Sequence, residues 1–307
     1  MATVNRTTPR RPHFSRSSRR VLLGLFFVSP WLLGLIVFTL YPIVASAVLS
    51  FASYDVLTPP RWIGLDNYTN LFQDNLFWIS LGNTLFYTVL AVPLGLATGL
   101  ALALLLNQRV GGIALFRTLF FIPSIVPLIA SAILWLTVLA PQGGLINTVL
   151  GALALPQPGW LASESWSKPA LILMGLWGSG GTMIIYLASL QGIPQHLYEA
   201  AEVDGATPWR KFWSITVPLL TPSTLLLAIS GVIATFQYFT QAYVMTSGGP
   251  LNSTLFYALY LFQNAFSYFK MGYASAMAWI LFLIVMAASA AILISSRRWV
   301  YYEAEAR

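Results

Sequence analysis

An all-α integral membrane fold, a bundle of six transmembrane helices, is what this sequence predicts, and three observations predict it. Charged residues make up 8% of the 307 positions and apolar residues 57%, whereas soluble domains average about 25% charged. So few charges do not cover a soluble surface of this size. The charges that exist are separated by long charge-free windows, at 21–54, 75–108, 118–163, 169–195, 212–269 and 271–296. Within the windows the apolar runs are continuous rather than alternating every second residue, which argues for helices and against a barrel.

The same composition argues against a cytosolic enzyme, a disordered chain and, with no cysteine, a disulfide scaffold. The net charge of +7 is not a nucleic-acid surface, because six of the sixteen Lys and Arg lie in the first twenty residues and the rest are scattered. A helix needs roughly 20 apolar residues to cross the hydrocarbon core. That length places spans at about 21–50, 81–106, 113–140, 169–190, 219–245 and 273–296. The first run is too long for a signal-peptide core of about 7–15 residues and reads as a retained helix. Residues 251–269 are apolar but carry Asn252, Gln263 and Asn264, and read as a re-entrant or interfacial helix. Pro30, Pro42, Pro93, Pro123, Pro127 and Pro222 sit inside or at the edges of spans. They mark either ordinary kinks or bent helices around a cavity.

The basic residues orient the bundle. With six spans both termini share a side. That side holds Arg6, Arg10, Arg11, Arg16, Arg19, Arg20, Arg109, Arg117, Arg210, Lys211, Arg297, Arg298 and Arg307, thirteen of the sixteen. Only Arg61, Lys168 and Lys270 lie opposite. The positive-inside rule makes the first side cytoplasmic. The chain then divides into a basic tail at 1–20, a transmembrane domain at 21–296 with a cytoplasmic loop at 191–214, and a C-terminal tail at 297–307.

Apart from Arg117, in the first turns of the third, none of the six predicted spans contains Asp, Glu, Lys, Arg or His. This argues against a proton-coupled carrier and a voltage sensor, and against an intramembrane hydrolase. No lysine follows a glycine, so the chain has no P-loop of its own. It is expected not to be an enzyme, and any energy for pumping comes from another chain. A self-sufficient channel or an Na⁺-coupled carrier built on carbonyls stays open as the alternative. His13 and His196 are far apart in sequence, and no metal is assigned.

One polar segment looks built, at residues 191–214. Pro194 begins a short helix, and Leu197, Tyr198, Ala201 and Glu202 follow at helical spacing. Gly205 falls where a left-handed C-terminal residue belongs, and Thr207-Pro208 supplies the cap and first turn of a second helix. Ala200 and Ala201 give a small-residue face, and Glu199 and Glu202, three apart, are available to a partner's arginine. The residues alone are equally consistent with a hairpin that only joins two spans.

This segment resembles the EAA motif in the membrane subunits of binding-protein-dependent ABC importers, with Glu199-Ala200-Ala201 and Asp204-Gly205-Ala206 in register and Pro218 and Pro222 downstream. Gly64-Leu65-Asp66-Asn67-Tyr68, Gly82-Asn83-Thr84 and Thr246-Ser247-Gly248-Gly249-Pro250 resemble the carbohydrate branch of that family (maltose and glycerol-phosphate type). The resemblance covers roughly residues 20–300. It implies the ABC importer permease fold with a cytoplasmic coupling helix. Glu199 would pair with a basic residue of an ATPase subunit, Ala200 and Ala201 would permit close packing, Gly205 would set the turn, and Asp204 would cap locally. It also implies a second homologous permease subunit, two ATP-binding subunits that hold ATP and Mg, and an extracytoplasmic solute-binding protein. This chain itself would hold no cofactor. The location would be a prokaryotic inner membrane, with lipid as surroundings and no nucleic acid.

For the solute path, the fifth span carries Thr235, Gln237, Tyr238, Thr240 and Gln241. Hydroxyls, amides and aromatic rings suit a sugar, and polar packing between helices is the competing account. The resemblance favours Thr235 and Tyr238. Trp177, Ser179 and Thr182 on the fourth span are further candidates.

Overall fold

The computed structural model describes residues 16–108 and 110–301. Arg6, Arg10, Arg11, His13, Arg109 and Arg307, on which part of the charge argument rests, lie outside the described residues. Helix α1 (Arg16–Leu35) runs through a π turn at Ile36–Leu40 into α2 (Tyr41–Leu49). A two-residue β-hairpin, β1 (Ala52–Ser53) with β2 (Arg61–Trp62), precedes α3 (Asp66–Gln73). The long α4 (Asn75–Leu106) follows, then α5 (Ile113–Ile125), α6 (Leu128–Val138) and α7 (Leu145–Ala152). After these come α8 (Glu164–Trp177), α9 (Gly180–Gln191), α10 (Gln195–Val203) and α11 (Pro208–Lys211). A π turn at Phe212–Thr216 joins α11 to α12 (Val217–Phe236). The chain ends with α13 (Thr240–Met245), α14 (Tyr257–Phe262) with a π turn at Gln263–Ser267, and α15 (Met271–Ser296).

Four helical stretches are long and apolar enough to cross a membrane: Leu23–Leu49, Asn75–Leu106, Pro208–Met245 and Met271–Ser296. Two bent pairs, α5 with α6 and α8 with α9, bring the count to six. Six helices therefore match the expectation, but two of them are broken. The break between α5 and α6 turns the chain by 100°. Pro127 explains it. A residue before proline is pushed out of the helical region, and Val126 is extended with ψ of 131°. Pro30, Pro93, Pro123, Pro169 and Pro222 lie inside helices.

Boundaries correct two details. The fourth span starts at Glu164 rather than 169, so Lys168 belongs to its first turns, donating to Asn83 Oδ1 at 2.9 Å and lying over the Phe86 ring. The fifth helical stretch begins at Pro208, not 219, and so includes Arg210 and Lys211. Residues 251–269 form only a short helix of 6 residues extended by a 5-residue π turn. That is too short to cross the membrane at 1.5 Å per residue, and Tyr257, Leu259 and Tyr260 are buried in protein.

Helix α4 is the spine. Asp74 caps it by accepting from Leu76 N at 2.9 Å, and at 32 residues it is about 48 Å long. It packs chiefly on α9 and α12. The approach to α9 depends on Gly99, where a Cβ would lie 2.5 Å from Thr182 Cγ2. One core cluster gathers Phe77, Tyr87, Trp135, Phe256, Tyr257 and Met277, and a second gathers Ala103, Leu106, Met183, Tyr186 and Leu220. Large apolar side chains cover much of the exterior, as expected where lipid rather than water is the solvent.

Candidate functional site

Two places combine polar groups with breaks in regular structure. The first is a cavity of about 210 Å³ inside the bundle, lined by Pro123, Ser124, Val126, Ser131, Trp177, Tyr238 and Gln241 among others. Three interruptions of membrane helices meet around it. They are the Val126-Pro127 bend, the Gly178-Ser179 break between α8 and α9, and the unwound Gln237–Phe239 between α12 and α13. Broken helices leave backbone polar groups without partners, which a membrane tolerates only where protein or a water-filled cavity receives them. No ionisable carboxylate, lysine, arginine or histidine lines this cavity. Its wall offers the hydroxyls of Ser131 and Tyr238, the Gln241 amide and the Trp177 indole, whereas the Ser124 hydroxyl donates to Phe121 O at 2.7 Å within its own helix.

Of the residues expected to line a solute path, Tyr238 and Gln241 do line the cavity. Tyr238 is held against Tyr87 and Phe256, with ring centroids 4.5 and 5.2 Å away. Thr235 does not line it. The Thr235 hydroxyl donates to Gly231 O and Val232 O within its own helix, at 2.9 and 3.0 Å. Gln237 is exposed at the C-terminal end of α12, and Thr182 packs against Gly99 of α4. Ser124 and Ser131 were not legible as candidates: Pro127 marks a bend between them, but not that it reaches 100° or what it brings opposite.

The second place is the loop at 191–216. Helix α10 ends in a Schellman motif, with Ala206 N donating to Ala201 O at 2.8 Å and Gly205 N to Glu202 O at 3.0 Å. Gly205 has φ of +73°, the conformation that closes this motif. Thr207 then caps α11, accepting from Arg210 N at 3.3 Å.

The two faces of α10 differ. Glu199, Ala200 and Val203 are exposed, Val203 by 89%, and Glu199 and Ala200 flank Val203 on one side at four and three residues' spacing. Tyr198 and Glu202 face the following helix instead. The Tyr198 hydroxyl lies 2.9 Å from Thr216 Oγ1, and Glu202 Oε1 accepts from Lys211 Nζ at 2.7 Å. Glu202 is therefore engaged within the chain, where the sequence offered it to a partner alongside Glu199. Ala201 and Asp204 face a small cleft shared with Arg210, Lys211 and Ser214. Val203 was missed from sequence, although its position four after Glu199 is the available signal.

A larger cavity of about 550 Å³ lies near α3, α14 and the start of α15, lined by Asp55, Asn67, Asn70, Asp74, Asn264 and Lys270 with several tyrosines. Asp74 sits at its edge. Burial alone pushes the Asp74 carboxyl up, but hydrogen bonds from the Tyr260 and Tyr273 hydroxyls and the Leu76 and Phe77 amides outweigh it and hold it below the usual carboxylate range. Among the described residues no group of three or more His, Cys, Asp or Glu side chains is arranged to hold a metal.

Residues 91–301 match the family model described as binding-protein-dependent transport system inner membrane component. The chain is 43% identical to the probable ABC transporter permease protein YesP of Bacillus subtilis, over 95% of this chain and 96% of that one. It is 35% identical to the lactose transport system permease protein LacF of Rhizobium radiobacter, covering 93% and 95% respectively. Its fold matches a chain in the crystal structure of a bacterial alginate ABC transporter in complex with alginate pentasaccharide-bound periplasmic protein. That match has a TM-score of 0.82 at 23% identity, over 92% of this chain and 96% of that one.

Proposed function

The chain belongs to the family of binding-protein-dependent transport system inner membrane components, and from that premise we propose that it is the permease subunit of an ATP-driven importer for a sugar or related polyol. The observation that carries this reading is the convergence of three helix breaks on one uncharged, hydroxyl- and amide-bearing cavity. A neutral polyhydroxylated solute needs many hydrogen bonds and an aromatic surface. Tyr238, Gln241, Ser131 and Trp177 supply both. The lactose permease relative supports the solute class.

The mechanism is alternating access. Helices broken at the cavity swing as half-helices, opening it to one side and then the other. A solute-binding protein delivers the solute outside, a second homologous permease subunit completes the path, and two ATP-binding subunits hold ATP and Mg. The exposed face of α10, with Glu199, Ala200 and Val203, enters a groove on one of them, and Gly205 sets the turn behind it. Ala201 and Asp204 sit beside that face. A charged contact of Glu199 in such a joint contributes about 1.5–3 kcal/mol. The count of thirteen basic residues on one side supports a cytoplasmic position for both termini and this loop.

The test is affinity purification of the tagged chain from native membranes in mild detergent, followed by identification of its companions. A P-loop ATPase and a second six-span permease are expected. A stable complex without any ATPase, repeated with ATP present, would favour the self-sufficient channel or Na⁺-coupled carrier.

A further inference from the structure

We propose that Tyr198 and Glu202, with Thr216 and Lys211, are positioning residues that lock α10 onto the base of the fifth span so that the two move as one lever. The inference rests on the coupling role proposed for α10. Its own content is how a motion at α10 reaches α12.

The covalent joint is weak. Only Asp204–Thr207 connect α10 to α11, and a Cβ at Gly205 would meet nothing within 4 Å. A push on the exposed face of α10 would spend itself bending that joint unless something braces it. Two contacts do. The pairs Tyr198–Thr216 and Glu202–Lys211 are rungs between antiparallel segments, at 2.9 and 2.7 Å. The second is the only salt bridge among the described residues. Lys211 is held tightly, its side chain 17% exposed against 65% for Glu202.

The register of these rungs explains a feature that the fold alone does not. Tyr198 and Glu202 are four apart and share one face of α10. Their partners Lys211 and Thr216 are five apart, a spacing that points to different faces in a regular α-helix. The π turn at Phe212–Thr216 absorbs the extra residue, so that the fifth residue takes the place of the fourth. Pro218 favours the widened turn. A proline in a regular helix lacks the amide bond to the residue four before it and clashes with that carbonyl, here Ser214. Val217 N instead reaches back to Phe212 O. Such π turns are rare and recur at functional sites. This one sets the register of two anchors on a helix that continues into the cavity-lining Tyr238 and Gln241.

The chain has no cysteine, so two introduced cysteines are its only label sites, and the complex is assembled with partner subunits stripped of accessible cysteine. Gln195→Cys with Ser230→Cys spans the brace, and double electron–electron resonance reads the distance distribution. We expect a narrow distribution that keeps its centre between the nucleotide-free and ATP–vanadate states. In the Tyr198→Phe/Lys211→Ala double variant its width at least doubles. A second pair, Leu145→Cys with Ser230→Cys, reads whether trapping moves the span. That shift should be lost in the double variant although vanadate is still trapped. It should return in Glu202→Lys/Lys211→Glu, tested in an otherwise unaltered chain. An unchanged width and an unchanged shift in the double variant would overturn the proposal, as would equal broadening by Glu199→Ala, which lies off the brace. If no ATPase accompanies the chain, the importer reading fails, while the first label pair in the chain alone still decides whether the rungs brace α10.

Discussion

Gly205 offers a prediction whose magnitude follows from geometry alone. Its φ is +73° and nothing lies within 4 Å of a Cβ built there, so a substitution meets no neighbour and pays only for conformation. A left-handed L-residue costs about 1–2 kcal/mol, which is a factor of about 5–30 in an equilibrium. That cost acts on the motif in which Ala206 N donates to Ala201 O and Gly205 N to Glu202 O. Gly205→Ala should therefore lower the hydrogen-exchange protection of the amides at 205 and 206 by about 5–30-fold, with amides in the middle of α12 unaffected. Asparagine tolerates the left-handed region better than other residues, so Gly205→Asn should lose less. Gly205→Val, β-branched, should lose most. Co-purification of the ATPase should weaken in the same order. If Asn, larger than Ala, is the more damaging of the two, size rather than backbone conformation governs the site, and the reasoning is refuted.

The cavity predicts a split between two neighbours on one helix: Tyr238→Ala should abolish most solute-stimulated ATP hydrolysis, whereas Thr235→Val should leave it within about twofold, because the Thr235 hydroxyl is spent on Gly231 O and Val232 O. The two helices that meet at Gly99 leave no room for a larger residue, so Gly99→Val should lower stability by about 1–3 kcal/mol, read as a lower melting temperature in detergent, and Thr182→Ala should restore part of it. Asp74 links stability to pH. Its folded-state pKa lies below the ordinary value, so its contribution is present above the unfolded pKa of about 3.9 and is lost as pH falls through the folded value. Thermal denaturation should therefore show a penalty for Asp74→Asn at pH 7 that shrinks as pH is lowered below about 4.

The gaps between charges were enough to place six spans, because burying an ionised side chain in hydrocarbon is so costly that its absence marks the membrane. The turn around Gly205 was equally legible. A left-handed glycine, a threonine cap and a proline at the first turn are local requirements, set by residues adjacent in sequence. The face of α10 that meets water was only half legible. Glu199 and Glu202 look alike as letters, and it is Lys211, on the next helix, that engages Glu202 within the chain.

The cavity was beyond the sequence for a related reason. Polarity on the fifth span named Thr235, Gln237, Tyr238 and Gln241 together, yet only Tyr238 and Gln241 line it. The difference depends on where the helix unwinds and on what α5, α6 and α8 place against it. Composition and charge spacing alone were enough to mark a membrane chain with up to six apolar helical stretches, since that follows from transfer energies, but they set the starts of the fourth and fifth too late. Which polar groups share a space was settled by the packing of the folded chain. That depends on bends such as the one at Pro127 and on contacts between residues more than a hundred positions apart.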